Sequence, residues 1–68
     1  MEVKMKILAQ NLKKLRDEKD LTQKEMAAII GKTERHYQEI ERGKVNVPSL
    51  PLIKLADFFN VSLDSLVG

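Results

Sequence analysis

Residues 22–43, TQKEMAAIIGKTERHYQEIERG, hold two helix-start signals with a single glycine between them. This stretch constrains the fold more than any other part of the chain. Thr22 can cap a helix, and Glu25, three residues on, completes a capping box. Leu21 can staple onto Met26. Met26, Ala27 and Ile30 then share one face, and Gly31 offers the positive φ that a tight exit needs. Thr33 is a second cap. Tyr37 and Ile40 are the apolar positions of the helix it starts, and Gly43 stops that helix. Two short helices joined this closely must cross one another. Ala27 lies at the expected crossing, where only a small side chain lets the backbones approach. Tyr37 and Ile40 anchor the second helix inward.

The remaining segments are also helical in period. Leu8, Leu12 and Leu15 form a stripe that stops near Asp20, a residue able to take a left-handed C-terminal position. "KVNVP" reads as a loop. A fourth pattern places Leu52, Ile53, Leu55, Ala56 and Phe59 on one side, with Pro51 tolerable only in the first turn. Ser62 caps a short last helix, and Val61 can staple onto Leu66. The expected helices run roughly 5–18, 22–30, 33–42, 50–59 and 62–67, with no convincing strand alternation, repeat or linker. One all-α domain of five short helices spanning 1–68 is the reading.

Size limits how such a domain is stabilised. The chain has 68 residues and no cysteine, which removes disulfides, thiolate metal sites and thiol nucleophiles together. A chain this short buries only about 60% of its unfolded surface, so a second subunit is a natural remedy. The absence of cysteine fits a reducing, cytosolic setting. The longest apolar run, Met26 to Ile30, is far short of a membrane span or a signal-peptide core. Net charge is +2, with the excess of cations within residues 1–44, so that end is the better candidate to face an anion. The chain shows no Gly-rich phosphate loop, no nucleophile paired with a base and no cluster of metal ligands; neither catalysis nor a metal or other cofactor is expected.

Residues 22–43 resemble the helix-turn-helix of the Cro and phage-repressor family, also called the xenobiotic-response-element family. The resemblance extends from about Leu8 to Val67. "LKKLRDEKDLTQKEMA" is similar to the family's first two helices, "IERGK" to the end of its recognition helix, and "LIKLADFFNVSLDSLVG" to its closing pair. It implies a compact, lambda-repressor-like domain whose second and third helices form the motif. It also implies a dimeric transcriptional regulator, a repressor, of bacterial or phage origin, binding near-palindromic double-stranded DNA in the cytoplasm and associated with the nucleoid when bound. The chain departs from the family pattern at Lys32, where an apolar residue is usual and where the lysine stem can lie over Tyr37. It departs again at Val47 and Pro48, which blurs the start of the fourth helix.

A helical wheel shows which side of the third helix can read DNA. With about 100° per residue, Tyr37 and Ile40 fall on one side, and Gln38, Arg42, Arg35 and Glu39 on the other. Family relatives read bases from the positions of Glu34, Arg35 and Glu39. The base-reading set is therefore Glu34, Arg35, Gln38 and Glu39. The three acids of this helix need not meet phosphate. Glu39 lies at helix-neighbour spacing from Arg35 and Arg42 and can hold either, or can accept from a cytosine amino group. Glu34 is favoured by the helix dipole. Glu41 corresponds to a family residue paired with a first-helix arginine, which here is Arg16. By the same resemblance Gln23, at a helix N-terminus, binds phosphate through its amide and its backbone N–H. Thr33, Arg42, Lys44 and Asn46 complete the phosphate-facing set. His36 lies off the reading face.

Apolar residues gathered at the C-terminal end place Phe58, Leu63, Leu66 and Val67 in or near a two-fold dimer seam. A second function class fits the same surface: a protein-interaction module, such as an antitoxin or a regulatory subunit, using the closing helices against a different protein partner.

Overall fold

The computed structural model describes residues 5–68. Five helices form its regular structure: α1 (Met5–Glu18), α2 (Gln23–Ile30), α3 (Glu34–Glu41), α4 (Ser49–Phe59) and α5 (Leu63–Val67). No strand occurs among the described residues. The radius of gyration is 10.5 Å. α1 packs on α3 and α5, while α2 packs on α3 and α4. α3 is thus held from both sides, with one face left outward.

The helix starts follow from side-chain oxygens. Thr22 Oγ1 accepts from Glu25 N–H at 3.0 Å, and Glu25 Oε1 accepts from Thr22 N–H at 2.9 Å, a closed capping box. Thr33 Oγ1 accepts from His36 N–H at 3.1 Å, and Ser62 Oγ from Ser65 N–H at 3.0 Å. The sequence-based ranges had counted these capping residues as helix. α4 differs from expectation. It begins at Ser49, one residue early, with Pro48 as an N-cap that makes no side-chain bond. Pro48 at φ −61° already has the helical φ, which compensates in part for the missing oxygen. Pro51 falls in the first turn, where its absent N–H would have had no helical partner.

The first four helices end alike. Asp20, Gly31, Gly43 and Asn60 all have positive φ, at 54°, 67°, 72° and 55°. In each case the next N–H reaches back across the turn: Leu21 to Arg16 O (3.0 Å), Lys32 to Ala27 O (2.9 Å), Lys44 to Glu39 O (3.1 Å) and Val61 to Ala56 O (3.0 Å). This satisfies carbonyls that a helix end leaves open.

The core joins Leu8 and Leu12 of α1, Met26, Ala27 and Ile30 of α2, Tyr37 and Ile40 of α3, Leu52, Leu55, Ala56 and Phe59 of α4, and Leu66 of α5. Ile53 is not among them. It lies on the flank of α4, 43% exposed, because Leu52, Leu55, Ala56 and Phe59 alone set the inward direction. α5 is fastened by a residue that sequence reading passed over. Asn11 of α1 donates from Nδ2 to Leu66 O at 2.7 Å and to Ser65 O at 3.2 Å. One side chain thereby satisfies two carbonyls at the end of a five-residue helix.

Candidate nucleic-acid interface

α3 presents two faces of opposite character. Tyr37 and Ile40 are buried, at 0% and 2% exposure. Glu34, Arg35 and Arg42 are exposed on the other side, with Gln38 and Glu39 half-buried between. His36 is half-buried on a flank. Gly31 makes the turn into this helix and Ala27, almost fully buried, sits in the α2–α3 packing. Lys32, in the turn itself, is exposed.

The structure places Glu39 in no ion pair with either arginine. Among the described residues the salt bridges are Arg16–Asp17 and Arg16–Glu41. A helix-surface pair is worth only a few tenths of a kcal/mol, and for Arg35 and Glu39 the order, with the cation N-terminal to the acid, is the weaker one. Arg35, Glu39 and Arg42 thus keep their polar groups available to an outside partner.

Behind this face lies a network joining α1, α2 and α3. Arg16 Nε donates to Glu41 Oε2 at 2.6 Å and Nη2 to Glu41 Oε1 at 3.3 Å, a two-pronged contact. Arg16 Nη1 also donates to Leu21 O at 3.0 Å, in the turn before α2. The pair is largely withdrawn from water, with side-chain exposures of 16% for Arg16 and 6% for Glu41. Burial pushes the Glu41 carboxyl up, but hydrogen bonding to Arg16 and to Gln23 outweighs it and holds the group below the usual carboxylate range. The bond to Glu41 raises Arg16 in turn.

Gln23 departs from expectation. Its amide does not point outward; Nε2 donates to Glu41 Oε1 at 3.2 Å, drawn in by the carboxylate. Its backbone N–H, in the first turn of α2, is still one of the helix's open donors. Tyr37 completes the network in an unusual way. Its hydroxyl is buried without a hydrogen-bond partner, within electrostatic reach of Glu41 but outside bonding geometry. Burial first, and the neighbouring Glu41 carboxylate second, push its pKa above the ordinary phenol range.

The loop after α3 alternates in exposure. Val45 and Val47 are half-buried against the core, while Lys44 and Asn46 are exposed. Two anchored valines therefore turn two polar side chains outward beside the end of α3. On α4 and α5, Phe58 and Leu63 are 46% and 43% exposed, and Val67 is half-buried. Leu66 is corrected: at 0% exposure it belongs to the core, because the short α5 must bury one large side chain to dock at all. Leu50, 67% exposed, and Ile53 are the other exposed large apolar residues. Among the described residues no three His, Cys, Asp or Glu side chains gather as a metal site. No helix there is long and apolar enough to cross a membrane.

Residues 12–66, which contain both helices of the motif, match the family model described as helix-turn-helix. The chain belongs to this family. The Cro and repressor-type resemblance read from "TQKEMA", "IERGK" and the closing helices is thereby shown. Among helix-turn-helix relatives, the chain is 37% identical over 62 residues to an HTH-type transcriptional regulator, y4dJ, of Sinorhizobium fredii, spanning 91% of this chain and 80% of that protein. It is 38% identical over 61 residues to the HTH-type transcriptional regulator YqaE of Bacillus subtilis, covering 90% of this chain and 53% of that one. The chain therefore spans about half the length of the second relative. Among solved structures, the restriction-modification controller protein C.AhdI of Aeromonas hydrophila superposes with a TM-score of 0.80 at 29% identity, covering 91% of this chain and 94% of that one.

Proposed function

We propose that this helix-turn-helix chain is a DNA-binding transcriptional regulator that reads near-palindromic duplex DNA as a homodimer and represses by occupying its site. The observation that carries the reading is the outward face of α3. Arg35, Gln38, Glu39 and Arg42 lie opposite the buried Tyr37 and Ile40, and none of the four joins a salt bridge among the described residues. An α-helix with such a face fits the major groove. Arg35 can approach guanine O6 and N7, Glu39 a cytosine amino group, and Glu34 a base edge at the start of the helix. Gln23 and Thr33 at two helix N-termini, with Arg42, Lys44 and Asn46, hold the phosphates on either side. In Gln23 it is the backbone N–H and the second amide hydrogen that serve, since Glu41 engages the first. Relatives named as transcriptional regulators support the same reading.

Selection of bound sites from a random duplex pool tests it. Arg35→Ala should relax preference at one base pair per half-site, with a loss of about 1–3 kcal/mol in discrimination. Glu39→Gln should relax a different position if it reads cytosine, and the same position if it only supports Arg35. If neither substitution alters the selected sequence, α3 is not the reader.

The exposed Leu50, Ile53, Phe58 and Leu63 favour a second copy of the chain as the cover for α4 and α5. A different protein on this surface, with the chain as an antitoxin or regulatory subunit, is the competing reading. Sedimentation at micromolar concentration separates them: a dimer or exchanging dimer supports the first, and a strict monomer supports the second.

A further inference from the structure

We propose that Lys6, at the start of α1, is a further phosphate-binding residue, so that the first helix forms part of the nucleic-acid interface beside the end of α3. The inference rests on the DNA-binding reading above and extends its contact surface. Its starting point is Gly43. A Cβ built on Gly43 would lie 3.6 Å from Lys6 Cα and Cγ and 3.7 Å from its backbone nitrogen. The stem of Lys6 therefore runs directly over the residue that ends α3. Gly43 stands between Arg42 and Lys44, both exposed, and consecutive Cα atoms are only about 3.8 Å apart. Lys6 is exposed as well. Three cations from two distant parts of the sequence thus meet at one corner of the fold.

No salt bridge among the described residues engages the cations of that corner. The salt bridges among the described residues involve Arg16 alone as the cation. The acid nearest to Arg42 on its N-terminal side, Glu41, is already engaged by Arg16 and Gln23. Along α1 the residues three and four places after Lys6 are Ala9 and Gln10, so neither offers a charge partner at helix spacing. Three like charges brought together repel one another, and an external polyanion relieves the repulsion. The other cations of α1 are differently placed. Arg16 is committed to Glu41, Lys13 lies on an outer face of α1 beside Gln10 and Asp17, and Lys14 lines the groove between α1 and α5 with Val61 and Ser65. Lys6 is the α1 cation that the fold sets against the end of α3 without an ion-pair partner among the described residues.

The test is the salt dependence of binding to a selected duplex and to an unrelated duplex of equal length, between 50 and 200 mM salt. Each lost phosphate contact should lower the slope of log affinity against log salt by about 0.9, equivalent to about 3.5-fold over this range per bound chain. Lys6→Gln should show that reduction equally on both duplexes, without changing the selected sequence. Lys6→Arg should retain the wild-type slope, and Lys14→Gln should leave it unchanged. Melting temperatures of the three variants, measured alongside, should match wild type, since both sites are on the surface. An unchanged slope in Lys6→Gln, or an equal drop in Lys14→Gln, overturns the assignment. If the wild-type chain binds neither duplex, the DNA-binding reading itself falls, and Lys6 with it.

Discussion

Glu41→Gln strips the charge from the acid that joins α1, α2 and α3 while keeping its shape. The guanidinium of Arg16 then stays in place with a side-chain exposure of only 16% and no carboxylate within reach on α3. Stranding a buried charge in this way costs about 3–5 kcal/mol. The lower end applies here, because Arg16 retains its bond to Leu21 O and a weak contact with Asp17 at 3.8 Å. A loss of about 3 kcal/mol is large against the roughly 5–15 kcal/mol that holds a small domain together. In a chain of this length it should lower the melting temperature by at least about 12 °C. Arg16→Met strands Glu41 instead and should be worse, since that carboxylate is 6% exposed. The double variant Arg16→Met, Glu41→Gln leaves no unpaired charge and should be more stable than the sum of the single losses implies. Thermal and urea melts of the three variants at neutral pH measure this. Single losses below about 1 kcal/mol that simply add would refute the reasoning and mark the pair as a surface contact. The same pair makes a pH prediction. Glu41 is held below its unfolded pKa, so its contribution is complete above the usual carboxylate range near 4.3 and disappears as pH falls through the folded value. Glu41→Gln should therefore flatten the acid limb of the stability curve.

Tyr37 gives the opposite sign. Its folded pKa is raised, so above about pH 10 the unfolded chain releases a proton that the folded one keeps, and stability should fall with rising pH. Tyr37→Phe should remove that alkaline slope and cost under about 1 kcal/mol at neutral pH, because the lost hydroxyl has no partner; alkaline melts of both proteins compare them. Gly31→Ala meets no atom within 4 Å, so its expected cost of about 1–2 kcal/mol arises from φ +67° alone, and Gly31→Asn should cost less; denaturant midpoints decide. Leu66→Ala should destabilise each protomer by about 2–5 kcal/mol at any concentration, whereas Phe58→Ala should leave the protomer intact and weaken only self-association in sedimentation.

The helices were legible because their ends are written in local chemistry. Thr22 with Glu25, Thr33, Gly31 and Gly43 act within a few residues of themselves, and a sequence displays such neighbours directly. Asp20 was read in the same way, while Asn60 was missed although it closes α4 with the same left-handed geometry. The α4 start was off by a residue because Pro48 caps through its fixed φ rather than through an oxygen. What sequence could not give was three-dimensional competition. The Gln23 amide reads as an outward group at a helix start, and only the fold shows that the Glu41 carboxylate draws it inward. Leu66 looked like seam material by its place near the end of the chain, but a five-residue helix has few apolar groups with which to dock. Asn11 offered a faint signal, a polar residue beside the Leu8–Leu12–Leu15 stripe, whose partners lie 54 and 55 residues away.

The division of labour on α3 has a consequence for how such a protein can change. Inheritance of the fold rests on Tyr37, Ile40 and Glu41, which face inward and are committed to other helices. Glu34, Arg35 and Glu39 enter no side-chain hydrogen bond or salt bridge among the described residues. Mutations there break no side-chain bond of the fold, so, on the reading of α3 proposed above, descendants of this chain are free to drift toward new target sequences one side chain at a time. The same freedom recommends positions 34, 35, 38 and 39 for a randomised library on a scaffold that stays fixed.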